Sequence, residues 1–154
     1  MSKIITYKGK LPIGVQEKIH LSTRDGLTGY KINKFQVISS QPGTDDYEYV
    51  AKIYLTDQTG NESTTIDFSD SDLIATVYHK GRHTSYETAV TDTIILDQET
   101  INQDIYIYVM DAGSGTIPCN FYIELEQFKL DLNTSTFHTL KNIRSRTQWV
   151  NNII

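Results

Sequence analysis

This chain of 154 residues has a single cysteine, three prolines and four alanines, and it contains no long hydrophobic run. Because Cys119 has no second cysteine to pair with, the sequence excludes a secreted scaffold held by internal disulfides and favours synthesis in a reducing compartment. The N-terminus offers only the short apolar pair Ile4 and Ile5, far from the h-region of a signal peptide. No segment approaches the roughly 18 apolar residues that span a bilayer. We therefore expect a soluble protein that does not bind membranes.

The length is that of one domain, which can bury a sufficient hydrophobic core without disulfide bonds. Scarce alanine argues against a helical bundle, whereas frequent threonine and ten tyrosines suit strands. Alternation predicts a half-buried strand over residues 47–55 and another over 120–128, and residues 104–110 are apolar on both faces. Weaker patterns predict strands over residues 3–8, 16–22, 29–39, 64–68, 73–79 and 91–97.

Glycine-containing turn sequences separate these segments, as at Arg24-Asp25-Gly26 and Gln41-Pro42-Gly43. Parallel neighbours would need helical crossovers between the strands, and the sequence offers none. We therefore predict an all-β fold, an antiparallel β-sandwich or jelly roll of about seven to nine strands, over residues 1–136.

The C-terminal segment, residues 137–154, differs from this body in charge. The whole chain has a formal charge of −5, but every acidic residue lies at or before Asp131, so residues 1–136 carry −8 and the segment carries +3. An acidic body argues against nucleic acid as a partner.

One short helix is predicted at the start of this segment, capped by Asn133 or Thr134. Its Phe137, Leu140 and Ile143 recur along one face. The following basic residues either complement the helix dipole or belong to an arm that contacts a neighbouring subunit. In the second interpretation the candidate partner-binding residues are Arg144, Arg146 and Trp149.

Catalytic and metal-binding patterns are incomplete. His79 and His83 are four apart, but Gly81 between them predicts a turn and not a metal-binding helix. Cys119 is expected to be a small buried hydrophobe. Asp57 begins a sequence like a calcium loop that lacks the required glycine and glutamate, and calcium binding between loops stays open.

Glu124 and Glu126 lie on one strand face, as paired carboxylates of a glycosidase could, but a wet polar face explains them as well. No catalytic triad, phosphate-binding loop or dinucleotide fingerprint is present. We therefore expect a non-enzymatic protein with no catalytic residues, no metal site and no cofactor.

Tyrosines occupy the strand faces opposite the aliphatic ones, at Tyr54, Tyr106, Tyr108 and Tyr122. Exposed rings there would anchor a protein interface or stack on sugars, and buried rings would form a second packed layer. Both alternatives are open from the sequence. Tyr106 and Tyr108 join the candidate partner-binding residues.

The β-rich body, the surface rich in threonine, asparagine and tyrosine, and the stretches 130–133 and 140–144 together resemble small virion proteins of tailed bacteriophages. This resemblance implies a capsid decoration or head-associated protein, made in the host cytoplasm and located in the virion. Its partners would be other virion proteins or copies of itself in an oligomeric assembly. The alternative is a carbohydrate-binding β-sandwich module.

Overall fold

The computed structural model describes residues 2–43, 46–81, 89–96 and 100–141. In these residues the chain forms eight strands, all paired antiparallel, in one sheet of three strands and one of five. The predicted all-β sandwich is confirmed. The strands are β1 (Lys3–Leu11), β2 (Glu17–Ile19), β3 (Thr28–Ser39), β4 (Tyr47–Tyr54), β5 (Leu73–Gly81), β6 (Val90–Ile95), β7 (Ile105–Asp111) and β8 (Cys119–Lys129).

The strand order follows a jelly roll with one departure. The three-stranded sheet runs β1-β8-β3 and the five-stranded sheet runs β2-β7-β4-β5-β6. The pairs β1–β8, β2–β7 and β4–β5 are those of a rolled-up antiparallel hairpin, the jelly-roll arrangement. The fourth pair would be β3–β6, but β6 hydrogen-bonds to β5 and only packs beside β3. In the described part of the chain, β3 and β6 therefore lie side by side without pairing.

The core lies between the two sheets and follows from strand alternation. Along β8, Phe121, Ile123 and Leu125 point inward and are buried, while the intervening residues point outward. Cys119 is fully buried there, as predicted, and burial raises the pKa of its thiol to about 12. Further core residues come from the other strands and include Ile32, Phe35, Tyr49, Ala51, Ile53, Val77, Ile105, Ile107 and Val109.

A second apolar layer covers the outer face of the five-stranded sheet. The loop over residues 55–72 crosses this face, and Tyr54, Leu73 and Tyr108 are buried beneath it. The predicted strand over residues 64–68 is wrong, because this part of the chain belongs to the loop. There the carbonyl of Thr65 accepts a hydrogen bond from a buried lysine instead of pairing with a strand.

A helix over residues 132–141 ends the described chain. Its cap is Asp131, whose carboxylate accepts a hydrogen bond of 2.7 Å from the backbone N–H of Thr134, so the predicted cap at Asn133 or Thr134 is wrong. The helix begins before the domain boundary expected at residue 137. Nothing helical in the described residues has the length and apolar character needed to cross a membrane.

Candidate binding surfaces

The five residues predicted to contact a partner have different outcomes. Arg144, Arg146 and Trp149 lie outside the described residues, so that part of the prediction stays a prediction. Tyr106 lies half-buried on the outer face of β7. Tyr108, two residues further along the same face, has no exposed surface.

Tyr108 is therefore corrected from a candidate partner-binding residue to a packing residue. Its ring stacks on Tyr54 with centroids 5.9 Å apart, and its hydroxyl accepts a hydrogen bond of 3.3 Å from the N–H of Ser63 in the covering loop. The ammonium group of Lys52 lies 5.3 Å from the ring centroid. For Tyr54 and Tyr108 the structure favours a packed second layer over an exposed aromatic surface.

The C-terminal helix attaches to the body through polar side chains. Buried Asn102 donates hydrogen bonds from Nδ2 to the carbonyls of Gly26 and Ser135, at 3.2 and 3.3 Å, and to the hydroxyl of Thr139 at 2.6 Å. The hydroxyl of Ser135 donates to the same Gly26 carbonyl at 2.6 Å. Gly26 has a positive φ of 68°, which glycine adopts without strain and which forms the turn under the helix. The inner face of this helix is thus hydrogen-bonded and not apolar.

The large hydrophobic residues of the described helix are all exposed. Leu132, Phe137 and Leu140 are 73%, 61% and 62% exposed. A helix on a globular protein normally turns its apolar stripe to the core and its polar residues to solvent. Here that arrangement is reversed. We call these three residues the apolar helix face.

A second candidate surface is a cavity of about 660 Å³ where β1, β3, β6 and β8 meet. This volume lies in the range of ordinary ligand pockets, about 300–1,000 Å³. We call it the outer groove. Its described lining residues are Lys8, Gly9, Gln36, Val37, Ile38, Thr91, Thr93, Asn120, Phe121 and Tyr122.

Cross-strand register places the floor of the groove on the outer face of the three-stranded sheet. Lys8, Tyr122 and Gln36 form one row across β1, β8 and β3. Because strand side chains alternate, this row points away from the core that the neighbouring Phe121 and Val37 help to fill. Tyr122 was predicted from the sequence as a possible exposed ring, but its neighbours in this row become apparent only from the strand register.

Among the described residues, the polar side chains of the groove floor have no side-chain partners. No side-chain hydrogen bond or ion pair joins Lys8, Gln36, Asn120 or Tyr122 to another described residue. The hydroxyl of Thr91 lies 2.6 Å from Nδ1 of His79, whose pKa is lowered by burial. The groove therefore presents donors and acceptors that the fold itself does not use.

The acidic clusters have structural partners. Asp57 accepts hydrogen bonds from the N–H of Thr59 and the side chain of Gln16, both at 2.8 Å. Hydrogen bonding from the side chain and backbone of Thr59, and then from Gln16, lowers the pKa of the Asp57 carboxyl. Hydrogen bonds from Ser69 lower the pKa of Asp67 in the same way. Within the described ranges, no three His, Cys, Asp or Glu side chains are arranged to hold a metal ion.

The paired carboxylates on β8 face lysines. Glu124 is opposite Lys34 and Glu126 is opposite Lys31 in the β3–β8 register. Opposite charges in such positions stabilise a sheet by fractions of a kcal/mol, roughly 0.2–1. The register therefore places each of these glutamates beside a lysine on the neighbouring strand.

No protein-family model matches this chain, and a comparison with curated proteins likewise finds no match.

Proposed function

We propose that this chain is a non-enzymatic virion structural protein, a capsid decoration or head-associated protein that acts through protein–protein assembly. The observation that supports the proposal best is the reversed helix, with Leu132, Phe137 and Leu140 turned to solvent. Exposed apolar side chains that cluster on a soluble monomer mark interaction sites, and Phe137 and Leu140, three residues apart, share one face of this helix. The fold does not need these side chains, because Ser135 and Asn102 already hold the helix.

Copies of the same chain are the partner that the charges favour. The body up to residue 136 carries −8 and the following segment carries +3. The basic segment of one copy can therefore approach the acidic body of the next, which speeds and orients association. Such a head-to-tail contact is heterologous and closes into a ring or continues as an array. Both forms suit a protein that repeats on the surface of a particle.

The viral context comes from the sequence resemblance, and the strand order is compatible with it. Jelly rolls occur in viral capsid proteins. They also occur in proteins with unrelated activities, so the fold alone does not establish this function. A test of this proposal must therefore measure assembly itself.

Replacing Phe137 and Leu140 together with serine is expected to weaken self-association at least about tenfold, equivalent to about 1.4 kcal/mol. Each side chain contributes up to about 1.5–3 kcal/mol when an interface buries it fully. The folded monomer should keep its melting temperature because both side chains are exposed in it. Sedimentation velocity over a concentration series measures the association constant, and thermal unfolding at low concentration measures the stability.

Val15→Ser is the matched control, because Val15 is also an exposed aliphatic residue but lies in the loop between β1 and β2. It should associate like the wild type. Wild-type protein that stays monomeric throughout the series, or a double variant that associates as well as the wild type, contradicts the proposal.

Deleting residues 147–154 tests the predicted role of Trp149 in the tail. If the segment docks on a neighbour, the truncated protein should keep its melting temperature and lose association. If the segment instead packs on its own sandwich, the melting temperature should fall and association should follow the remaining folded fraction. Unchanged stability with undiminished association contradicts the docking role.

A further inference from the structure

We propose that the outer groove binds a short glycan that carries a carboxylated sugar. This site lies on the three-stranded sheet, away from the apolar helix face, and does not depend on the assembly proposed above. The core does not fill this cavity, and no residue of the C-terminal helix lines it.

The lack of pairing between β3 and β6 explains why the groove exists. In a complete jelly roll β6 would hydrogen-bond to β3 and extend the smaller sheet. Here β6 stays with β5, and its Thr91 and Thr93 line the space beside Gln36 and Ile38 of β3. The result is a concave site with a wide sheet floor and a hydroxyl-bearing side.

The floor combines an apolar platform with amide groups. Tyr122 is half-buried in the centre of the sheet, and Ile38 on the next strand is 56% exposed. Sugar rings have an apolar C–H face that packs on such surfaces, as the flat body of tyrosine allows. Gln36 and Asn120 each offer two donors and an acceptor to the ring hydroxyls. These amide donors and acceptors suit a polyhydroxylated ligand better than an apolar one.

The charge of the groove indicates an acidic ligand. Lys8 is the only charged side chain among the described lining residues, and it forms no ion pair with another described residue. It stands at one end of the row that contains Tyr122. A carboxylate on a sugar stacked at Tyr122 would meet this ammonium group in a charge-assisted hydrogen bond.

The direction of the groove separates a glycan from an added peptide strand. A peptide that pairs with the free edge of β3 would run along β3 and contact residues of that edge. The described lining instead extends across the sheet to Lys8 and Gly9 on β1, two strand spacings or about 10 Å away. A ligand lying across the strands meets all three strands through their side chains.

Matched neutral and acidic oligosaccharides test the proposal. Lactose with sialyllactose, and galactobiose with digalacturonic acid, can each be titrated into the protein by NMR. We expect the acidic member of at least one pair to bind, and to bind at least about threefold more tightly than its neutral counterpart. Tyr122→Ala should remove binding of both members, and Lys8→Gln should remove the preference for the acidic one.

Tyr78→Ala is the control variant, because Tyr78 is a half-buried strand tyrosine on the other sheet, outside the groove. It should bind like the wild type. Melting temperatures show that each variant is folded, and Tyr122→Phe keeps the ring platform if the alanine variant is unstable.

Three results would overturn the proposal. One is the absence of binding by every probe to folded wild-type protein at millimolar concentrations. Another is equal binding of acidic and neutral members in every pair, which removes the role of Lys8. The third is a Tyr122→Ala variant that loses self-association and not sugar binding, since the groove would then be a protein contact.

Discussion

Tyr108→Ala is expected to lower the free energy of unfolding by about 3–5 kcal/mol, the usual cost of removing a large buried aromatic side chain. Tyr108 has no exposed surface, stacks on Tyr54 and accepts a hydrogen bond from the loop over residues 55–72. Its removal leaves a cavity under that loop and uncovers Lys52, which is itself 1% exposed. Urea unfolding and thermal melting measure the loss, which for a chain of this size corresponds to about 10 °C in melting temperature.

Tyr106→Ala is the matched comparison, because Tyr106 lies on the same strand and the same face but is half-buried. It should cost about 1 kcal/mol, a typical effect of a surface-near substitution. Tyr108→Phe separates the hydroxyl from the ring and should lose about 1 kcal/mol with the hydrogen bond to Ser63. A Tyr108→Ala protein that is as stable as Tyr106→Ala but fails to associate would restore Tyr108 as a partner-contacting residue.

The difference between Tyr106 and Tyr108 shows what alternation in a sequence leaves undetermined. Residues 104–110 are apolar on both faces, which indicates burial on both faces or an aromatic surface. The choice depends on whether another segment covers the outer face. The covering segment, residues 55–72, is mostly polar and was predicted to contain a strand. Its anchor is the ammonium group of Lys52, and lysine is normally an exposed residue.

The local elements were predictable because each has a local cause. The alternation over residues 47–55 places Tyr49, Ala51 and Ile53 on the core side, where the structure has them. The turn glycines Gly26, Gly43 and Gly60 have positive φ, as predicted, whereas Gly81, also predicted to lie in a turn, is the last residue of β5 and does not. The helix was also expected, although its true cap, Asp131, lies two residues before the nearer of the two predicted caps.

The candidate sites were harder to predict because they depend on long-range pairing. Lys8, Gln36 and Tyr122 become neighbours only through the register of β1 and β3 against β8. Nothing in the local pattern of residues 90–95 tells whether β6 pairs with β3 or β5, and this choice creates the groove. The apolar helix face was partly visible as Phe137 and Leu140, but that it points outward depends on Asn102, more than 30 residues earlier in the chain.

A second large loss of stability is expected on replacing Asp104. This residue directly precedes β7, and its carboxylate binds the segment that follows β2. Its Oδ1 accepts hydrogen bonds from the backbone N–H groups of Leu21 at 2.9 Å and Ser22 at 2.8 Å. Lys18 lies 3.3 Å from Oδ2, and His20 lies 3.3 Å from Oδ1. The strand β2 has only three residues and pairs only with β7 in the described residues. Its attachment therefore depends on this carboxylate.

Asp104→Ala should lower the free energy of unfolding by about 2–4 kcal/mol at pH 7, because two backbone donors lose their acceptor in a buried place. The ion pair with Lys18 adds little to this, since Lys18 is 54% exposed. Asp104→Asn keeps an oxygen acceptor in the same position and should lose about half as much. Hydrogen exchange should show Leu21 and Ser22 amides opening in the alanine variant before the rest of the sandwich.

The pH dependence follows from the pKa of the Asp104 carboxyl. Burial would raise this pKa, but the hydrogen bonds from Ser22, Leu21 and Lys18 outweigh burial and hold it well below its usual value. A carboxyl with a lowered pKa in the folded state stabilises the protein fully above its unfolded pKa of about 3.9, and loses that contribution as the pH falls below this value. The stability difference between wild type and Asp104→Asn should thus be constant from pH 7 to pH 5 and shrink from pH 4 downward. A difference that grows on acidification, or that stays unchanged to pH 2, would show that the Asp104 carboxylate does not provide this stability.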